Sequence, residues 1–319
     1  MVTNVDGESA AHSNEAARRL LRRVELTVTR RLAGLMQGDY LGLFPGPGTE
    51  AGECRLYIPG DDVRLMDWNV SARTTVAHVR DLVFDHELDV WLLADLSPSQ
   101  SFGTAARPKR DVVVSVAAGF GVPASRLANR VGAVVLDVDG VAAMPARAGR
   151  RHLLAVLHRM VSAATADGGG RTDLAPALGT VGRLARRRGV VVVISDFLVA
   201  PGWERPLARL TARHDVVAAE VVDPREMELP AVGLLTLADP ETGAVRLVDT
   251  SSARLRERFA RGAAEQRAAI RATLARLGAD HLVVRTDADW VAEVIAFLVA
   301  RRRRRQGYKP APVRRRGPS

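Results

Sequence analysis

The sequence of 319 residues has one cysteine, no long apolar run and no P-loop motif. Since Cys54 is alone, the chain can form no intrachain disulfide and no site of several thiolates, which favours a reducing compartment. No apolar run approaches the roughly 18 residues that a membrane-spanning helix needs. The G-x-x-x-x-G-K-[ST] pattern is also missing, and this excludes a P-loop nucleotide site.

The N-terminal segment lacks the features of a secretory signal. Its first 19 residues contain acidic side chains and no apolar centre, so we expect no signal peptide and a cytoplasmic location. Residues 1–15 are polar and show no periodicity, which is typical of a disordered segment.

Acidic residues are missing from the last 19 positions, 301–319, which carry eight arginines and one lysine. These positions account for nearly all of the net charge of +10, so the rest of the chain gives no net-charge argument for nucleic-acid binding. We predict that the arginines at 301–305 and 314–316 form a flexible basic anchor outside the fold, with residues 305–319 disordered. Such a tail could contact nucleic acid or, peripherally, an anionic membrane; a solvated end is the alternative.

Helical and extended patterns alternate between residues 88 and 304, which favours an α/β fold with a doubly wound, mainly parallel sheet. Residues 190–194 are apolar throughout, as in strands buried on both faces. Asp139-Gly140 predicts a hairpin turn that adds one antiparallel strand. The arginine-rich stretches 183–188 and 254–276 are predicted to be solvated helix surfaces.

The predicted elements divide the chain into a disordered start at 1–15, a helix and β-rich segment at 16–87, the α/β domain at 88–304 and the basic tail. The predicted helices cover residues 16–37, 109–121, 150–166, 174–188, 206–213, 252–277 and 289–304. The predicted strands cover residues 76–83, 88–94, 131–138, 141–144, 190–194, 216–222, 233–237, 244–248 and 281–284.

An apolar strand, residues 88–94, ends in the pattern Asp-x-Ser-x-Ser. Clustered oxygen side chains at the carboxyl end of a buried strand suit a hard divalent cation such as Mg²⁺ or Mn²⁺. Further ligands are expected from a Thr after a Gly-rich loop and from an Asp that ends a second apolar run. Alternatively, the serines only cap the next helix. The predicted metal ligands are Asp95, Ser97, Ser99, Thr172 and Asp196.

This oxygen set resembles the metal-ion-dependent adhesion site of von Willebrand factor type A domains. The resemblance implies that the Ser and Thr hydroxyls hold the ion directly and that the two aspartates hold it directly or through water. Because Mg²⁺ prefers six oxygen ligands, one position would stay open for an acidic side chain of a partner protein.

A second polar constellation lies at residues 48–74, around a Pro-Gly-Asp-Asp turn. Its acids and arginines are expected to form ion pairs that fasten this segment to the main domain, rather than a catalytic site. No nucleophile with an adjacent base is evident there, although a recognition surface stays open as an alternative. The residues concerned are Arg55, Tyr57, Gly60, Asp61, Asp62, Arg64, Asp67, Trp68 and Arg73.

The same segment resembles the signature of the domain-of-unknown-function 58 family, which is close to R-x-Y-x-P-G-D-D-x-R-x-I-D-W-x-x-S-A-R. Here Met66 stands where an aliphatic residue is usual. The resemblance implies a von Willebrand type A-like region and a role beside AAA+ ATPases of the MoxR type. It implies no enzymatic activity.

The sequence therefore predicts a non-enzymatic protein-interaction module that depends on a divalent metal and acts with a MoxR-type ATPase or its client protein. A Mg²⁺-dependent hydrolase and a polyanion binder acting through the basic tail are the alternatives.

Overall fold

The computed structural model describes residues 49–58, 66–84, 88–103, 107–164, 173–238 and 244–305, together with Thr27, Arg31, Asp61 and Val63. Its strands are β1 (Thr49–Leu56), β2 (His78–Phe84), β3 (Asp89–Asp95), β4 (Arg130–Asp137), β5 (Gly140–Arg147), β6 (Gly189–Ser195), β7 (Asp215–Val222), β8 (Leu234–Ala238), β9 (Val245–Asp249) and β10 (Asp280–Arg285). Its helices are α1 (Trp68–Thr74), α2 (Lys109–Arg126), α3 (Arg150–Ala164), α4 (Leu174–Leu184), α5 (Glu204–Thr211), α6 (Pro224–Met227), α7 (Ala253–Arg276) and α8 (Trp290–Arg305).

The central sheet has six strands in the order β10-β7-β6-β3-β4-β5. The first five are parallel and β5 is antiparallel to β4, which confirms the predicted α/β fold and its hairpin at Asp139-Gly140. Every residue of β3 and β6 is buried, because these two strands lie in the middle of the sheet with helices on both faces. Their carboxyl ends therefore meet at one edge.

Alternate residues of the central strands supply two separate cores. Val90 and Leu92 of β3 belong to the core under α2, α3 and α8, while Trp91 and Leu93 belong to the core under α4, α5 and α7. Since successive side chains of a strand point to opposite faces, an uninterrupted apolar run is what this two-sided burial requires.

The N-terminal segment differs in part from its prediction. Strands β1 and β2 pair antiparallel, as the extended pattern indicates, but residues 68–74 form the helix α1. Asp67 starts this helix by accepting hydrogen bonds from the backbone N–H groups of Asn69 (3.0 Å) and Val70 (3.1 Å). The helix predicted at 16–37 lies outside the described residues apart from Thr27 and Arg31, which are both helical.

The prediction that the arginines at 301–305 lie outside the fold is wrong for Arg301. Helix α8 continues to Arg305, and Arg301 is 1% exposed. Its guanidinium contacts Asp280 Oδ2 at 2.7 Å and also pairs with Asp215. These acids begin the neighbouring strands β10 and β7, so the last turns of α8 supply the counter-charge that their partial burial demands. Residues 306–319 of the predicted tail lie outside the described residues.

Replacing Arg301 by Gln should lower the free energy of unfolding by about 3 kcal/mol, because it removes the buried cation that contacts both Asp215 and Asp280. Arg304→Gln is the matched control, since that side chain is 64% exposed and lies 3.5 Å from Asp280; it should change stability by less than about 0.5 kcal/mol. Urea unfolding of both variants measures the difference. Equal losses of stability in the two variants would mean that the buried ion pairs of Arg301 contribute no more than the surface contact of Arg304.

Candidate functional site

Asp95 is the last residue of β3 and is fully buried at the carboxyl edge of the sheet. Its Oδ1 accepts a hydrogen bond from the backbone N–H of Ser97 at 3.2 Å. Its Oδ2 accepts one from the hydroxyl of Ser195, at the end of the adjacent strand β6, at 2.6 Å. The carboxylate is therefore held by its own turn and by the neighbouring strand, and both donors are neutral.

Ser97 and Ser99 follow Asp95 in a short 3-10 turn, and their hydroxyl oxygens lie 3.1 Å apart. The alternative that the serines only cap a helix finds no support at Ser97, whose hydroxyl makes no capping bond to that turn. Helix α2 begins after Pro108 instead. Two hydroxyls thus stand side by side next to a buried carboxylate.

Asp196 follows β6 directly and is 1% exposed. Its Oδ1 accepts a hydrogen bond from the backbone N–H of Leu198 at 2.9 Å. Its Oδ2 lies 2.5 Å from the Nζ of Lys109, which also lies 2.6 Å from Glu226 Oε1. Asp196 therefore shares the edge of the sheet with Asp95, but Asp196 has a cation, whereas the donors that the described residues offer to Asp95 are neutral.

The charged cluster continues through helix α7 to the edge strand β10. Arg267 donates to Glu220 Oε1 (2.6 Å), to Glu226 Oε2 (2.9 Å) and to the backbone carbonyl of Asp196 (3.1 Å). His281 Nε2 lies 2.7 Å from the second oxygen of Glu220. The acids and bases therefore alternate from one end of this buried network to the other.

Sequence reasoning missed most of this network. The prediction that residues 254–276 are solvated is wrong for Arg267, which is 7% exposed. Arg267 is buried because its helical spacing places it on the same face as the buried Ile270 and Leu274. That spacing is the one signal that could have identified Arg267. Nothing local distinguishes Lys109, Ser195, Glu220, Glu226 or His281.

Asp95 and Asp196 differ in their electrostatic surroundings. Burial, together with the nearby negative charge of Asp196, raises the pKa of Asp95 to about 6. Burial works against the charged form of Lys109, yet Asp196 and Glu226 outweigh it and raise the pKa of Lys109 above its usual value. Lys109 is therefore an ammonium ion, whereas the donors that the described residues offer to Asp95 are neutral.

The donor chemistry fits a hard divalent cation, although the carboxylates are few. Within the described ranges, no three or more His, Cys, Asp or Glu side chains are grouped as a metal site. An ion here would depend on two carboxylates and on hydroxyl oxygens, the ligand type that Mg²⁺ and Mn²⁺ take. The predicted ligand Thr172 lies outside the described residues.

The described acids of the signature segment, residues 48–74, accept hydrogen bonds from donors within the same segment. Asp61 Oδ2 accepts a hydrogen bond from the N–H of Ile58 at 2.8 Å, and Asp67 Oδ2 accepts one from the thiol of Cys54 at 3.2 Å. Trp68 is 69% exposed and Arg73 is exposed as well. Gly60, Asp62, Arg64 and the side chain of Arg55 lie outside what the structure describes, so their ion pairs stay a prediction.

Comparison with known proteins gives one family and several relatives. The sequence profile of a family described as "Protein of unknown function DUF58" matches residues 53–269. "Uncharacterized protein Rv1480" of Mycobacterium tuberculosis is 48% identical over 283 residues, which are 89% of this chain and 89% of the relative. "Uncharacterized protein MAV169" of Mycobacterium avium is 45% identical over 160 residues, which are 50% of this chain and 94% of the relative.

Two solved structures resemble the chain more distantly. BatB from Bacteroides thetaiotaomicron has 17% identity and a TM-score of 0.43, and the alignment covers 68% of this chain and 99% of BatB. The VWA domain of SpRpn10 has 10% identity and a TM-score of 0.37, with 66% of this chain and 94% of that domain covered. Since both scores are low, the fold assignment rests on the strand order described above.

Asp95→Asn should stabilise the metal-free protein at neutral pH. The pKa of Asp95 is raised in the folded state, so the free energy of unfolding of the wild type falls as the pH rises from 3.8 to about 6. Above that range the loss is complete and amounts to up to about 3 kcal/mol. Urea unfolding in EDTA should therefore show a larger gain for the variant at pH 7.5 than at pH 4. Asp139→Asn, in the exposed hairpin turn, is the control; a pH-independent gain at residue 95 would contradict the argument.

Asp67→Ala should lower stability by about 1 kcal/mol while leaving divalent-ion binding unchanged, because Asp67 caps α1 through Asn69 and Val70, and this helix contains none of the candidate metal ligands. Thermal melting and calorimetry with MnCl₂ measure the two effects, and Asn69→Ala on the exposed surface of the same helix is the control. An unchanged melting temperature with lost partner binding would make this segment a recognition surface.

Proposed function

The chain belongs to the DUF58 family, and we propose that it is a non-enzymatic protein-interaction module whose partner binds at the carboxyl edge of the central sheet through a divalent cation. One observation carries this proposal. Asp95 is fully buried beside two hydroxyls, yet the hydrogen-bond donors that reach it from the described residues are neutral. A buried carboxylate without a counter-charge is costly, and a bound cation would remove that cost.

In this proposal the hydroxyls of Ser97, Ser99 and Thr172 would hold Mg²⁺ or Mn²⁺, with Asp95 and Asp196 in direct or water-mediated contact. The ion would supply positive charge to an acidic side chain of the partner. The protein's own part is to fix the ligands: Ser195 and the turn at Ser97 hold Asp95 in one orientation.

An adjoining groove supports a protein as the partner. About 810 Å³ of space lies between the β8–β9 hairpin and helix α7, and its lining includes Leu237, Phe259 and two arginines. Glu226 lines this groove and also contacts Lys109, so the groove adjoins the charged cluster. The hairpin also exposes aliphatic side chains, Leu234 at 69% and Leu247 at 66%. Apolar surface of this kind is typical of protein-binding sites.

The partner that we propose is a MoxR-type AAA+ ATPase or its client protein, on the strength of the family resemblance. We favour no catalytic role, because the basic groups of the cluster are engaged. Lys109 is held by two carboxylates and His281 by Glu220, which leaves neither as an evident nucleophile or base. Within the described residues, no helix has the length and apolar character to span a membrane.

Calorimetric titration of the full chain with MnCl₂ should show one site, and Asp95→Ala should lose it with the fold intact by circular dichroism. Asp139→Ala is the matched control and should bind as the wild type does. If Asp95→Ala binds Mn²⁺ as tightly as the wild type, the ion site lies elsewhere.

The partner is tested separately by pull-down of a purified MoxR-type ATPase on immobilised full chain. Retention should be lost with EDTA and with Asp95→Ala, and should be restored for the wild type by added Mg²⁺. If the amount of ATPase retained is changed neither by EDTA nor by Asp95→Ala, the result would contradict a metal-dependent interface.

A further inference from the structure

Lys109 is a fully buried cation next to a predicted metal ligand. Its side chain is 0% exposed, and its Nζ lies 2.5 Å from Asp196 Oδ2 and 2.6 Å from Glu226 Oε1. Since the other oxygen of Asp196 accepts from the N–H of Leu198, both oxygens of this carboxylate are engaged. The charge that a bound metal ion would neutralise at Asp196 is thus already neutralised by the chain itself.

The composition of the chain makes this lysine informative. Among 46 basic residues of the Lys and Arg types, only Lys109 and Lys309 are lysines. At position 109 two carboxylate oxygens approach one nitrogen from different elements, a geometry that suits a compact ammonium and not a broad, planar guanidinium. The site between these two carboxylates therefore suits a small, compact cation, and a metal ion is a cation of that kind.

We propose that Lys109 is a built-in counter-cation that sets how tightly this edge of the sheet binds divalent ions. The inference rests on the proposed function, because it concerns the same site. An incoming Mg²⁺ or Mn²⁺ meets an Asp196 that is already paired, and it is repelled by the ammonium. Inside a protein, a unit charge several ångströms away changes the affinity for a second charge by more than about tenfold.

The cluster is built so that loss of the lysine leaves one carboxylate, Asp196, unneutralised. Glu226 keeps the guanidinium of Arg267 at 2.9 Å on its second oxygen. Arg267 also keeps Glu220 at 2.6 Å, so the rest of the network stays paired. Without Lys109, Asp196 and Asp95 are therefore the carboxylates that a cation would neutralise, and the pKa of Asp95 is already raised by burial and by the charge of Asp196.

The test is calorimetric titration of the full chain with MnCl₂ alone. Lys109→Met should bind Mn²⁺ at least about tenfold more tightly than the wild type, because it removes a nearby positive charge and releases an oxygen of Asp196. Lys309→Met, at the other lysine, should bind as the wild type does. Glu226→Gln, which keeps Lys109, should bind no more tightly than the wild type.

A second variant keeps the test decisive if Lys109→Met does not fold without metal. Lys109→Met/Glu226→Gln removes one charge of each sign, so the net charge of the cluster is that of the wild type while Asp196 is still released. Mn²⁺ should raise the melting temperature of this double variant by several degrees more than that of the wild type.

The outcomes separate this inference from the proposed function. If the wild type binds Mn²⁺ and neither Lys109 variant binds it more tightly, the inference is overturned and the metal site stands. Binding by the Lys109 variants alone supports the inference and overturns metal dependence of the native chain. If no variant binds Mn²⁺, both are overturned.

Discussion

The buried ion pair between Lys109 and Asp196 is the interaction on which this edge of the structure depends. It joins the first residue of α2 to the residue after β6, and it anchors a network that reaches α6, α7 and the edge strand. Burying so many charges is tolerable because each acid has a basic neighbour with hydrogen-bonding geometry. The further members of the network are Glu226, Arg267, Glu220 and His281.

The parallel sheet explains why residues distant in sequence meet here. β3 and β6 are adjacent strands, so Asp95 and Ser195 lie side by side although 100 positions separate them. The same edge then divides into two halves. Around Asp196 the charges are balanced by Lys109; around Asp95 the donors are neutral and the pKa of the carboxyl is raised to about 6. In the proposed function, this asymmetry makes the Asp95 half the one that would accept a cation.

The sequence predicts what depends on local pattern and misses what depends on tertiary contact. Apolar runs identify β3 and β6, and a strand end identifies Asp95 and Asp196 as neighbours at one edge. The position of Lys109 at the start of a helix carries no local sign of burial, because its partners come from other elements. The burial of Arg301 could not be predicted either, because a run of arginines resembles a solvated tail and its partners Asp215 and Asp280 belong to other elements.

The shape of this edge also constrains what can bind to it. Glu226 belongs both to the charged cluster and to the wall of the apolar groove under the β8–β9 hairpin. In the proposed function, a partner that fills the groove with an apolar side chain would bring its neighbouring residues towards the proposed ion site. Arg246 and Arg258 in the groove wall favour acidic residues on that partner. A segment with apolar and acidic residues close together would suit the proposed function, because one carboxylate would face the arginines while another would complete the coordination of the proposed ion.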